Sequence, residues 1–169
     1  MSKSLLDFIV IGAQKARITS LFMYLNELPQ IHVPPEQEAS FFDQDDPFCK
    51  GFEWYSNGFF ARASEHQLWG KATPNYMVAL QAPWRVHEVL SDVKLVALLR
   101  HPIEWAYSNY LMSLRRGLET RSLAERIQDL IREESIVHGR HYPNETNSYI
   151  ARGEYGSILA NYLELFHGD

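Results

Sequence analysis

Lys15, Thr19 and Ser20 bring an ammonium group and two hydroxyls together just after Gly12, where an apolar run gives way to a helical pattern. A helix start adds free backbone N–H groups and a positive dipole end, so the point suits a phosphate or sulfate group. Arg100 and Ser108 form a second such pair. A guanidinium with its forked donors and a nearby hydroxyl fit a terminal phosphate. Two anion sites imply one ligand with anionic groups at both ends. Between them, Glu36 and Glu38 alternate, so in an extended segment both point to one face. Paired carboxylates raise one another's pKa, which suits a general base poised near neutrality. The group Glu133, Glu134, His138 and His141 has metal-ligand residue types, but it reads better as a solvated helix end. His66 stands alone and reads as a solvated loop histidine.

The elements that must position these residues follow from periodicity. Residues 6–11 are nearly all apolar, as in a strand buried on both faces, and Gly12 ends the run. From Thr19 onward Leu21, Phe22, Leu25 and Leu28 recur at helical spacing until Pro29. Residues 30–33 read as a short strand. Phe52, Tyr55 and Phe59 fall on one helical face and are expected in the core. Residues 68–76 read as a strand running into a turn at Pro74, and residues 82–90 as an amphipathic helix begun by Pro83. Residues 93–99 read as a second buried strand, followed by a helix after Pro102. This alternation favours a parallel sheet whose ligands gather at the strands' C-terminal ends, which puts the Gly12 loop and Arg100 at one sheet edge. Farther on, Ser122 and Glu125 form a capping box for a helix carrying Leu123, Ile127, Leu130 and Ile131 on one stripe.

With 169 residues, 46% of them hydrophobic, the chain has enough material for one sizeable core and is expected to form a single domain over residues 1–169. A net charge of −5 argues against non-specific nucleic-acid binding. One cysteine, Cys49, rules out an internal disulfide framework and suits a reducing compartment. No apolar stretch approaches the ~20 residues needed to span a bilayer, and no signal peptide is evident, so the expected location is cytoplasmic. Oligomeric state is not legible.

The loop Gly12-Ala-Gln-Lys15-Ala16-Arg17-Ile18-Thr19-Ser20 differs from the nucleotide-triphosphate P-loop, in which lysine directly precedes the hydroxyl residue. It resembles the phosphosulfate loop of the sulfotransferases, Gly-x-x-Lys-x-Gly-Thr-Thr-Ser/Ala, with Arg17 and Ile18 in place of Gly-Thr. Glu38-Ala-Ser-Phe41-Phe42 is similar to the family's Lys-Glu-x-x-Phe-Phe, with Gln37 in place of the lysine. Gly70, Thr73, Pro74 and Tyr76 match Gly-Glu-x-Thr/Ser-Pro-x-Tyr, which lines the acceptor side of the cleft; Lys71 replaces the glutamate, and Ala72 stands where some members have lysine. Leu99, Arg100, Pro102, Ala106, Tyr107, Ser108 and Tyr110 match the 3′-phosphate motif, with Trp105 for its second arginine. Tyr149, Gly153, Tyr155, Leu159, Tyr162, Leu163 and Phe166 match a further segment, so the resemblance runs from Asp7 to Phe166.

The resemblance implies a P-loop-like three-layer αβα fold around a central parallel sheet. Members usually continue into another strand and a basic, glycine-containing loop, so it also implies either a fragment or a shortened member. The implied activity is transfer of a sulfuryl group from 3′-phosphoadenosine 5′-phosphosulfate to an acceptor hydroxyl on a carbohydrate, lipid or natural product, without a metal. Gly12, Lys15, Ala16, Arg17, Ile18, Thr19 and Ser20 would hold the phosphosulfate and Arg100 and Ser108 the 3′-phosphate. Lys15 and Thr19 would stabilise the leaving oxygen, and Glu38 would be the base. Two other readings stand beside it. Arg17 and Ile18 suggest a catalytically impaired nucleotide-binding module of the same fold. A P-loop kinase would need a Mg²⁺-holding carboxylate at a strand end and lysine next to Ser/Thr, and neither is visible.

Overall fold

The computed structural model describes residues 6–34, 40–142, 144 and 146–166. They fall into two compact units, Met1–Leu98 with Asn161–Asp169, and Leu99–Ala160.

The first unit is built on a four-stranded sheet, β1 (Phe8–Gly12), β2 (Ile31–His32), β3 (Leu68–Ala72) and β4 (Lys94–Ala97), in the order β2-β3-β1-β4. Every pairing is parallel, with Phe8 opposite both Gly70 and Lys94. Helices α1 (Ile18–Asn26), α2 (Asp45–Cys49), α3 (Phe52–Phe59) and α4 (Ala82–Val89) lie between the strands in the chain, giving the expected α/β class. β1 is central and covered on both sides: Val10 packs with Ile18 and Ala72, while the alternate residues Ile9 and Ile11 are equally buried. Gly70 admits the ring of Phe8, whose Cζ would sit 2.0 Å from any Cβ there. Tyr55, on α3, is fully buried and stacks on Phe41 at 4.6 Å, as the spacing of the aromatics predicts.

One strand differs from expectation. Residues 93–99 read as a buried strand, but β4 is four residues long and Lys94, Val96 and Ala97 are exposed. β4 has β1 on one side and, among the described residues, no strand on the other. Apolar content reports that a segment is a strand; how many neighbours it has is decided by the rest of the sheet.

The second unit contains α5 (Pro102–Arg115), α6 (Leu123–Leu130), α7 (Glu133–His141) and the start of α8 (Tyr155–Leu163). The capping box forms as read: Ser122 Oγ accepts from the Glu125 amide at 3.3 Å, and the Ser122 amide donates to Glu125 Oε2 at 2.9 Å. Tyr110, Leu130 and Tyr149 form its core. Glu119 is buried in the α5–α6 connection and accepts from the amides of Thr120 at 3.0 Å and Arg121 at 3.1 Å. It also meets Arg121 Nε at 3.2 Å and Arg126 Nε at 3.1 Å.

Candidate functional site

The anion loop begins where β1 stops. A Cβ on Gly12 would lie 2.7 Å from Met77 Cβ and 3.1 Å from the Pro74 carbonyl, so the 3₁₀ turn Pro74–Met77 requires glycine here. Three bonds pin the strand ends around it. Ala13 N donates to Leu98 O at 2.7 Å, Leu98 N to Gly12 O at 2.7 Å, and Thr73 N to Val10 O at 3.0 Å. The loop then turns tightly, with Ala16 N on Ala13 O at 3.1 Å.

Lys15 and Arg17 both take left-handed backbone angles, φ 65° and 64°. Arg17 is the N-cap of α1 and makes no side-chain cap bond; the first bond of the helix runs from Leu21 N to Arg17 O at 3.1 Å. The amides of Ile18, Thr19 and Ser20 therefore have no acceptor within the helix and face the site of positive dipole potential. Lys15 is half-buried, and Arg17 and Thr19 are exposed. The Ile18 side chain turns the other way, into the core against Val10 and Ala72, so it offers a ligand only its amide. The sequence-identified residues from Gly12 to Ser20 are thus brought together at one strand end.

Glu38 lies outside the described residues. The residues after it are firmly anchored: Phe41 and Phe42 are fully buried, and Phe42 meets Tyr76 edge-on at 5.5 Å. Gln81 Nε2 donates to Asp43 O at 2.7 Å, and Arg85 reaches Phe42 O at 3.4 Å while pairing with Asp45. Sequence reasoning missed this strap; the signal was Arg85, a charge on the buried face of the 82–90 helix. Asp43 is buried, accepts from Ser40 Oγ at 3.2 Å, and burial pushes its carboxyl above the usual range. Lys71 is buried on β3, with Nζ 5.3 Å from the Phe59 ring centre. Burial also drives the Tyr76 hydroxyl up, and Tyr162 Oη donates to the Tyr76 carbonyl at 2.6 Å.

In the second unit, Arg100 precedes α5, whose first residue is Pro102 and whose N-cap, His101, makes no side-chain cap bond. Arg100 Nε meets Glu104 at 3.3 Å, an open contact of little energetic weight. Ser108 is half-buried in the second turn of α5, and Trp105, where the family motif has arginine, is buried. Among the described residues no group of His, Cys, Asp and Glu is arranged to hold a metal ion, and no helix is long and apolar enough to cross a membrane.

No family model matches the chain. It is 34% identical over 135 residues to the membrane-associated sulfotransferase kil1 of Dictyostelium discoideum, a stretch covering 78% of this chain and 28% of that protein. It is 29% identical over 161 residues to heparan sulfate glucosamine 3-O-sulfotransferase 6 of Mus musculus, covering 94% of this chain and 43% of that protein. The fold matches the crystal structure of a sulfotransferase from Alicyclobacillus acidocaldarius with a TM-score of 0.77 and 27% identity, over 95% of this chain and 69% of that one. The chain belongs to the sulfotransferase family. This sulfotransferase chain spans less than half the length of the two curated relatives.

Proposed function

We propose that the protein transfers a sulfuryl group from 3′-phosphoadenosine 5′-phosphosulfate to an acceptor hydroxyl. The observation that carries this reading is the β1–α1 loop, with Lys15 beside three helix-start amides that lack an acceptor. The donor phosphosulfate lies along Gly12, Lys15, Ala16, Arg17, Ile18, Thr19 and Ser20, and the 3′-phosphate is held by Arg100 and Ser108. Glu38 takes the proton of the acceptor hydroxyl as its oxygen attacks sulfur in line. Lys15 and Thr19 stabilise the charge that develops on the departing bridging oxygen. No metal takes part: catalysis is positioning plus electrostatic stabilisation. The heparan sulfate enzymes among the relatives favour a carbohydrate acceptor over a lipid or a natural product. The single cysteine, exposed Cys49, fits a cytoplasmic location.

Incubation with sulfur-labelled donor and a library of hydroxyl acceptors, with and without chelator, tests the proposal. Label transfer unaffected by chelator is expected; phosphate transfer from ATP instead would overturn it. The left-handed Arg17 and the core-facing Ile18 favour a second reading, a nucleotide-binding module with impaired catalysis. Calorimetry with 3′-phosphoadenosine 5′-phosphate separates the two: that module binds the nucleotide and transfers no label.

A further inference from the structure

The walls of the anion loop are built differently on its two sides. On the β4 side the contact is backbone to backbone, through the bonds of Leu98 to Gly12 and Ala13 at 2.7 Å. On the β3 side the wall is the turn Pro74–Met77, packed so closely on Gly12 that a Cβ there would lie 2.9 Å from Met77 Sδ. A 3₁₀ turn has poor hydrogen-bond geometry of its own, so its exact position depends on what braces it. Phe42 meets the Tyr76 ring edge-on at 5.5 Å from one direction. From another comes Tyr162, 86 residues on, whose Oη donates to the Tyr76 carbonyl at 2.6 Å. Both tyrosines are buried, and Tyr162 lies in the stretch Asn161–Asp169 that belongs to the first unit. Burial pushes the Tyr162 phenol up, so it stays an O–H donor through neutral pH. Ring packing keeps the turn near the loop, whereas a short, directional bond to one carbonyl fixes where it sits.

We propose that Tyr162 is a positioning residue for the donor's 5′ end, an assignment that rests on the donor reading given above. Its hydroxyl holds the turn on which Gly12 packs, and through Gly12 it sets the placement of Lys15 and the amides of Ile18, Thr19 and Ser20. Displacing such a preorganised cradle costs affinity without removing any group that touches the ligand.

Tyr162→Phe keeps the ring and removes only the bond. Calorimetry of the full chain and of this variant uses two nucleotides with a 5′ anion, adenosine 5′-phosphosulfate and 3′-phosphoadenosine 5′-phosphate. The variant is expected to bind both about tenfold more weakly, the order of one hydrogen bond. In the free variant the amides of Ala13 to Ala16 should exchange with deuterium faster than in the parent, while those of α6 keep their parent rates. A merely structural tyrosine changes the melting temperature alone, so unchanged affinity or unchanged loop exchange would overturn the assignment, as would faster exchange throughout α6. Should the variant fail to fold, the parent decides, because coupling is reciprocal. Saturation with 3′-phosphoadenosine 5′-phosphate should then slow exchange at the amides of Tyr76, Val78 and Ala79, and no slowing there overturns the brace. A parent chain that binds neither nucleotide overturns the donor reading itself, which separates the two failures.

Discussion

On the proposed reading, the β1–α1 loop and the segment around Arg100 serve the same kind of ligand by different means, and they depart from the family pattern differently. Around the loop, grip comes from backbone: the amides of Ile18, Thr19 and Ser20 are presented whatever side chains they carry. Arg17 can therefore replace glycine at the cost of a left-handed φ of 64°, and Ile18 can turn its side chain into the core. Around Arg100, grip comes from side chains. That segment keeps Leu99, Arg100, Pro102, Ala106, Tyr107, Ser108 and Tyr110, and its one marked departure, Trp105, is buried. Backbone-based recognition tolerates substitution where side-chain recognition does not.

The sharpest way to break this contrast is Lys15→Ala, which removes the ammonium group proposed to stabilise the departing oxygen. Turnover of labelled donor should fall about 10²–10³-fold, with thermal unfolding unchanged. Full activity in that variant would remove the loop from the mechanism. Arg100→Ala should weaken binding of 3′-phosphoadenosine 5′-phosphate by about 10–100-fold in calorimetry, as the loss of charge-assisted bonds requires; an unchanged affinity would leave the second region without a ligand role.

Glu119→Ala sharpens the comparison by disturbing the second unit away from its anion-facing residues. Stability to urea should drop by about 2 kcal/mol, less than for a deeply buried pair because Arg121 is partly exposed and solvent screens it. Burial pushes the Glu119 carboxyl up, but hydrogen bonds from Arg121 and Thr120 outweigh it and hold it below the usual range. Its contribution is therefore complete above the unfolded carboxylate pKa and is lost as pH falls through the lower folded value. A parent and variant that converge in stability in acid would bear this out; parallel pH curves would contradict it. The smallest effect is expected for Arg17→Gly, which relieves the left-handed residue and should raise stability by about 1 kcal/mol in urea unfolding. A loss of stability would show that the arginine's own contacts outweigh its strain.

The β1–loop–α1 unit was legible because its signals are local: an apolar run, a glycine, a lysine, then helical spacing. The Ser122–Glu125 capping box and the aromatic face at Phe52, Tyr55 and Phe59 were legible for the same reason. The exposure of β4, the burial of Lys71 and the Arg85 strap on residues 42–45 were not, because each depends on neighbours distant in sequence. Short helix α2, five residues with Pro47 inside it, carries too little periodicity to announce itself.

The paired bonds between Leu98 and the backbone of Gly12 and Ala13 tie the rigidity of the anion loop to the outermost strand. Opening of β4 from β1 releases one wall of the loop, so the amides of Ala13 and Leu98 should exchange with solvent deuterium at a common rate. If the proposed role of the loop holds, that rate, rather than the protection of the central β1 core, sets how long Lys15 and the neighbouring amides stay preorganised.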